Sequence, residues 1–463
     1  MKLRSRIVEK ELKARTKASL LAHELFSATP PWELVKSLFS LLVTDLPQHV
    51  GGGHEMCIGV FDISRAHFMP KCQREFYVEI PAEDRGPGEE DYVGRLNRGM
   101  YGFRDASNAW MKDWQELLAE GGNQVGVANP ALFFNEAEFP RDAVHGDDFY
   151  VLGPVAAIDK MKELLGSKYQ MRESHRLGFT DGCVRVATVL NRIVTLGFED
   201  GRRFVQIEPD RRHVELIVEA VGTKLDGSNG VTTPSVRQTD ASADSLKSSP
   251  LLGAADASRY RSAVMRASFL SQERADIAET VKRLAQGMSS PRLGHWELLK
   301  RLAMFLIYKP DKSFVFRQQS MPDALQIYVD SDFAGSRTDR KSTTGMVQTF
   351  GTHMIKASSN LQSVVGLNVS ESEFYALVHG ASHGLGLQAY FLDIGIKVGL
   401  VILSDSTSAK SFASRRGLGK QRHVMTRFLL LQQVVAAERV CVKKVHTSHN
   451  CSDVLTNTLM RSF

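Results

Sequence analysis

The sequence has no cysteine framework. Its five cysteines, Cys57, Cys72, Cys183, Cys441 and Cys451, are scattered and form no CxxC pair. An odd, dispersed set excludes a disulfide scaffold and implies free thiols in a reducing compartment. Long apolar runs are also missing, since none approaches the ~20 residues that a membrane span requires. The opening stretch MKLRSRIVEKELKARTK is charged rather than apolar, which excludes a secretory signal. No repeat of fixed period is visible. What is present is ordinary for a globular chain: 43% hydrophobic and 24% charged residues over 463 positions. That length suits roughly two to four domains with sizeable cores. A net charge of +6 and a pI of about 8.9 fit a polyanionic partner. Residues 1–20 hold seven Lys/Arg against two Glu. They read either as an exposed helix face or as a phosphate-contacting arm.

The stretch that organises the rest is residues 143–153, AVHGDDFYVLG. It predicts strand–turn–strand with Asp147 and Asp148 at the tip. Two ionised carboxylates cannot be buried there unpaired, because each costs several kcal/mol to desolvate. Bulk water or a divalent cation must face them, and a DD turn by itself is a solvated loop. Upstream, ATPPWELVKSLFSLLVTDL has helical spacing behind a Pro pair. CIGVFDISRAHF reads as a buried strand ending near Asp62, and EFYVEI as a second strand. An aromatic-rich helix carries Trp110 and Trp114. Downstream come a helix over 156–167, two strand-like runs, VRVATVLNRIV and RFVQIEP, and a helix from about Asp210. Residues 222–257 are poor in large apolar side chains and read as a connection or flexible linker. Residues 258–308 read as all helical. From Ser313 a new pattern begins, with FVFRQ, LQIYVD, GMVQTF and HMIKAS as strands, followed by alternating helices and strands. That order argues for a separate α/β domain with a mixed sheet.

Four acids of this last region fall at element ends. Asp330 closes LQIYVD, Asp405 closes VGLVILSD, Glu373 lies in the first turn of a helix, and Asp453 starts SDVLTNTLM with Ser452 as a possible N-cap. Such a quartet repels itself unless cations neutralise it. Oxygen ligands suit Mg²⁺ or Mn²⁺, and paired ions serve in-line displacement at phosphorus. A zinc site from Cys441, His446, His449 and Cys451 is the weaker alternative, because the spacing matches no CxxC-type pattern. His446 and His449 could instead assist protonation or product release near Asp453.

Taken in order, these motifs resemble the reverse transcriptase and RNase H region of copia-type retrotransposon Pol polyproteins. FDISRAHF resembles the first polymerase motif, LNRGMYGFRDASNAW a following segment that keeps Tyr101, Gly102, Ala106 and Trp110, and NPALFF the lead into the DD hairpin. SRYRSAVMRASFLSQERADIAETVKRLAQGM and HWELLKRLAMFLIY are similar to the family's connecting segment. YVDSDFAGSRTDRKSTTG, VSESEFYAL, ILSDSTSA and SDVLTNTL are similar to its RNase H motifs. Departures are local. The residues before the acids are His145-Gly146, and His67 with Phe68 stands where the family has an aromatic that screens the sugar 2′-hydroxyl. Only RSRIV remains of the fingers segment, so the resemblance implies an N-terminally clipped copy without protease or integrase regions.

The resemblance implies an α+β and α/β multidomain chain. Residues 1–221 would form partial fingers and palm, 222–312 a linker and helical thumb or connection, and 313–463 an RNase H-like mixed-sheet domain. It implies an RNA-directed DNA polymerase with RNase H activity. Asp62, Asp147 and Asp148 would be the polymerase acids, and Asp330, Glu373, Asp405 and Asp453 the nuclease acids. Each site would hold two Mg²⁺ or Mn²⁺ ions. Arg4, Arg6, His67, Phe68, Tyr101 and Gly102 would contact nucleotide or template. The implied partners are an RNA template, a DNA primer, the RNA–DNA hybrid and dNTPs, with no membrane. The implied setting is intracellular: cytoplasmic, within virus-like particles, or nuclear. Two other readings stay open: an inert nucleic-acid-binding remnant, and an RNase H whose polymerase half is inactive.

Overall fold

The computed structural model describes residues 25–222, 230–237, 239–310, 312–419 and 423–456. Arg4 and Arg6, with the basic run of residues 1–20, lie outside the described residues. Helix α1 (Trp32–Leu42) follows the Pro pair as its spacing predicts and leads into the short strand β1 (Thr44–Asp45). The described residues fall into two compact units. The first comprises residues up to Leu38, Leu46–Val184 and Leu392–Ile396; the second comprises Phe39–Asp45, Arg185–Phe391 and Lys397 onward.

The first unit is built on β2 (Met56–Ile63), MCIGVFDI, a nearly continuous apolar run that is buried almost throughout. Strands of that kind occupy sheet centres, because both faces are covered. The unit continues with the two-stranded sheet of β3 (Tyr77–Glu79) and β4 (Val93–Arg95), then α2 (Ala106–Glu120). Next come β5 (Gln124–Val125), β6 (Leu132–Phe134), β7 (Arg141–His145), β8 (Asp148–Pro154), α3 (Val155–Lys168) and β9 (Met171–Gly178). The large sheet has the order β5-β6-β7-β8-β2-β9. Trp110 and Trp114 of α2 and Ile158, Met161 and Leu165 of α3 pack into one core with Phe61, Val144, Phe149 and Val151 of the sheet. Strand β9 has no counterpart in the sequence reading. Its residues MRESHRLG show no apolar alternation, and its pairing to β2 recruits it.

In the second unit, β10 (Val186–Val189), β11 (Arg192–Glu199) and β12 (Arg202–Pro209) form an antiparallel sheet. VRVATVLNRIV is therefore a hairpin rather than one strand. Val189 faces Arg192 across a two-residue turn, and Leu190 and Asn191 both have positive φ, 46° and 60°. That is the type I′ pattern, whose twist suits a tight hairpin. The fourth strand of this sheet is β13 (Phe314–Arg317), which pairs with β12. The run FVFRQ, expected with the last domain's strands, thus hydrogen-bonds here. A helical layer follows in sequence: α4 (Arg212–Val221), α5 (Asp240–Ser248), α6 (Ala254–Leu270), α7 (Ala278–Gln286) and α8 (Leu293–Tyr308). Helix α5 lies inside the stretch read as a connection. A reciprocal capping box of Thr239 and Ser242 starts it, a local signal independent of apolar content.

The remaining strands include β14 (Gln319–Ser320), which pairs with β1. The five-stranded sheet of β15 (Ala324–Ser331), β16 (Thr343–Phe350), β17 (His353–Leu361), β18 (Gly399–Ser404) and β19 (Cys441–Lys444) has the order β17-β16-β15-β18-β19. It is mixed, as expected: β15–β16 and β16–β17 are antiparallel, while β15–β18 and β18–β19 are parallel. Helix α9 (Val369–Asp393) crosses this sheet closely through two glycines. A Cβ at Gly380 would stand 2.6 Å from Val329 Cγ1, and one at Gly384 would stand 2.8 Å from Leu400 Cδ1. Helices α10 (Thr407–Ala413) and α11 (Leu430–Ala436) complete the unit. Among the described residues no helix is long and apolar enough to cross a membrane.

Candidate functional site

In the first unit the acids meet through strand register. Strands β2 and β8 are antiparallel, and Asp62 lies directly opposite Asp148. The Ile63 N–H donates to the Asp147 carbonyl oxygen at 3.0 Å, which locks the turn to the end of β2. The turn is two residues long, with His145 opposite Asp148, and Gly146 takes φ +70° at its first central position. Glycine tolerates that conformation without strain. Trp110 of α2 donates its indole N–H to the Gly146 oxygen at 2.9 Å, so the helix holds the turn from one side. The sequence expectation of both acids at the tip is met by Asp147 alone, because Asp148 already belongs to the strand. The three carboxylates repel one another. Burial first, and then the charges of Asp147 and Asp62, push the Asp148 carboxyl up to about 6. The Tyr150 hydroxyl donates to Asp148 at 3.3 Å and opposes that shift.

Beside these acids in sequence, Arg65 adopts a left-handed backbone, φ 59°, and opens the 3-10 turn Ala66–Phe68. The His67 ring stands 4.7 Å from that of Tyr101, and Phe68 meets Tyr101 edge-on at 5.3 Å. Gly102, at φ +100°, turns the chain next to them. His67, Phe68 and Tyr101 thus form one aromatic patch, with Gly102 following Tyr101 in the chain.

The second set of acids is tighter. Asp330 sits near the end of β15, Asp405 directly follows β18, and the parallel pairing of those strands carries both to one sheet end. Glu373 reaches in from the second turn of α9, and Asp453 opens the 3-10 turn Asp453–Leu455. Asp330, Glu373 and Asp405 bring ligand atoms within 4.8 Å of one another. Among the described residues this is the group that meets that spacing, and Asp62, Asp147 and Asp148 do not. Burial, then the charges of Asp330 and Asp405, push Glu373 up to about 9. The same causes push Asp453 up to about 7. Glu373 Oε2 and Asp453 Oδ1 are buried without a hydrogen-bond partner. Buried carboxylate oxygens left without donors among clustered acids suit a hard divalent cation. The Thr456 hydroxyl donates to Asp330, and the Thr447 hydroxyl donates to Asp405 at 2.7 Å.

One glycine permits the convergence. Gly345 lies opposite Asp330 on β16, and a Cβ there would fall 2.6 Å from the Ser452 oxygen and 2.9 Å from Leu455 Cβ. Only a bare backbone lets the Asp453 turn sit on this strand. Ser452 does not cap that turn through its side chain. Its hydroxyl donates to Asn450 Oδ1 at 2.6 Å, and the Asn450 amide in turn donates to the Val329 oxygen. Among the described residues, no group of three or more potential ligands joins Cys441, His446, His449 and Cys451, so the zinc alternative finds no site. His446 instead accepts from the Ser448 N–H at 3.3 Å.

Sequence reading missed Glu371. It is 1% exposed and holds three groups: the Tyr375 hydroxyl, His423 Nε2 at 2.7 Å and the Leu367 N–H at 3.0 Å. The legible signal was the pair Glu371 and Tyr375, four residues apart and therefore on one helix face. Glu373, two residues on, must point elsewhere.

No family model matches the chain. It is 22% identical over 445 residues to the retrovirus-related Pol polyprotein from transposon TNT 1-94 of Nicotiana tabacum, covering 95% of this chain and 32% of the relative. It is 24% identical over 406 residues to the corresponding polyprotein from transposon RE2 of Arabidopsis thaliana, covering 86% of this chain and 26% of the relative. The chain therefore spans about a third or less of the length of these relatives. Among solved structures, a foamy viral protease-reverse transcriptase in complex with an RNA/DNA hybrid superposes with a TM-score of 0.50 at 12% identity, covering 94% of this chain and 48% of that one. That likeness is one of fold.

Proposed function

We propose that this chain, a homologue of copia-type transposon Pol polyproteins over nearly its whole length, is an RNA-directed DNA polymerase with an RNase H centre. Residues 1–221 form partial fingers and palm, 222–312 the linker and helical connection, and 313–463 the nuclease domain. The observation that carries the reading is the cluster of Asp330, Glu373 and Asp405 with ligand atoms within 4.8 Å. It is supported by the register that sets Asp62 against Asp148.

Asp330, Glu373, Asp405 and Asp453 would hold divalent cations at the nuclease centre, and Asp62, Asp147 and Asp148 would do so at the polymerase centre, two Mg²⁺ or Mn²⁺ in each. Bound there, such ions activate an attacking oxygen and offset charge on the leaving one. The chain's own part is positioning. Strand register holds Asp62 and Asp148 together, and the Trp110 contact keeps Asp147 at a defined height. Tyr101, His67, Phe68 and Gly102 offer an aromatic, glycine-lined face to nucleotide or template. RNA template, DNA primer and the hybrid are recognised by backbone charge and shape, while pairing supplies sequence.

Primer extension on an RNA template, run beside hydrolysis of a labelled RNA–DNA hybrid, tests this. Asp147→Asn is expected to abolish extension and spare hybrid cleavage, and Glu373→Gln to do the reverse. Loss of both activities in either single variant argues against two independent centres. A second reading, nuclease active and polymerase silent, is favoured by one observation: the nuclease acids meet the ligand spacing and the polymerase acids do not. Hybrid cleavage by the parent protein without any extension would select it.

A further inference from the structure

We propose that Lys282, on helix α7 of the helical layer, is a positioning residue for the second acid cluster. The proposal rests on reading that cluster as a divalent-cation site. Lys282 has a side chain only 12% exposed. A buried ammonium costs several kcal/mol unless its donors are satisfied. Its Nζ donates to Thr343 Oγ1 at 2.8 Å. Glu279, on its own helix, stands 3.9 Å away, and Asp332 is the opposite charge that faces it from the sheet.

Thr343 and Asp332 close a loop. The Thr343 N–H donates to Asp332 Oδ1 at 2.5 Å, and the Asp332 N–H donates to the Thr343 oxygen at 3.2 Å. This knot ties the exit of β15 to the entry of β16. Asp330 lies two residues before it on β15, and Gly345 lies two residues after it on β16. Lys282 thus anchors the chain where it leaves the Asp330 strand. The same helix backs a second acid. Val454 and Leu455, in the turn that begins at Asp453, pack with Ala278, the first residue of α7, and with Ala275 in the 3-10 turn just before it. One helix outside the five-stranded sheet therefore supports the backbone next to two of the four acids, and residues 313–463 do not contain everything that shapes the centre.

The test uses the full chain carrying Asp147→Asn and Asp148→Asn, so that Mn²⁺ binding followed by calorimetry reports the second cluster. Lys282→Met keeps the apolar stem and removes the charge and the hydrogen bond. By electrostatics alone, losing a cation near an acid cluster tightens Mn²⁺ binding or leaves it unchanged, whereas losing a positioning contact weakens it. The expected result is binding weakened about tenfold, the scale of a lost supporting contact to a metal ligand. Lys282→Arg should restore most of it, and hybrid cleavage should fall in parallel. Binding as tight as the parent's, or tighter, overturns the proposal. If Lys282→Met does not fold, Thr343→Val removes the acceptor hydroxyl from the other side. Weakened Mn²⁺ binding there supports the proposal and unchanged binding overturns it. A parent that binds Mn²⁺ but cleaves no hybrid sinks the nuclease reading alone, while one that binds no Mn²⁺ at this cluster overturns both.

Discussion

At the scale of single residues, the second acid cluster depends on what is absent at position 345. The Asp453 turn rests on the backbone of β16 at Gly345, where a Cβ would meet the Ser452 oxygen at 2.6 Å. Overfilling a packed contact costs about 1–3 kcal/mol. Here the cheapest relief is to lift the turn and Asp453 with it. Gly345→Ala is therefore expected to cut hybrid cleavage at least about tenfold, since small misplacements of reacting groups cost up to about 10²-fold. Primer extension should be retained, and parallel assays of the two activities check this. The acids themselves were legible from the sequence because each stands beside a recognisable strand or helix end. The supporting contacts were not: Thr456 donating to Asp330, or Asn450 bridging to the Val329 oxygen, join residues more than a hundred positions apart. The expected Ser452 cap is not formed: its hydroxyl is engaged in donating to Asn450 Oδ1 and accepts from no N–H of the turn.

At the scale of elements, long runs of one period read true and short polar ones did not. Helices α2, α3 and α6 to α8 fall where apolar spacing predicts them. Strand β9 was invisible, since a strand without alternation owes its existence to the partner β2. The β10–β11 hairpin was hidden because its turn uses Leu190 and Asn191 rather than a glycine. That hairpin has its own anchor. Arg192 pairs with Glu273 at 3.0 Å, with side chains 4% and 0% exposed, and it also donates to Gln272 at 2.6 Å. The Arg192 guanidinium lies over the Phe269 ring. Removing one member of such a pair leaves the other charge buried. Glu273→Ala is expected to destabilise the second unit by about 3–5 kcal/mol, read as a lowered urea midpoint.

At the scale of the whole molecule, the unusual property is a concentration of carboxyl groups held against their preferred ionisation. Glu373 is raised from 4.5 to about 9, and Asp453 from 3.8 to about 7. A raised acid binds more protons folded than unfolded, so stability declines as pH rises from the unfolded value towards the folded one. Without divalent cations, thermal stability should therefore fall between about pH 4.5 and 9. A cation that prefers the ionised forms reverses the trend, so stabilisation by Mg²⁺ should grow with pH over the same window. Melting curves at pH 5 and pH 8, with and without Mg²⁺, check both statements. A Mg²⁺ effect independent of pH would contradict them.

The sequence by itself determined the inventory: which acids end which elements, the helical stretch of residues 258–308, the mixed sheet that follows, and the order of motifs that relates the chain to transposon Pol polyproteins. Those features are local, and apolar period and end chemistry are written in neighbouring residues. Only the tertiary structure decided which acids meet closely. It set Asp62 against Asp148 by strand register and drew Asp330, Glu373 and Asp405 within 4.8 Å. It also set Lys282 against Thr343, beside the exit of the Asp330 strand. Register and helix approach are settled by the packing of whole faces, and no single stretch of chain carries that information.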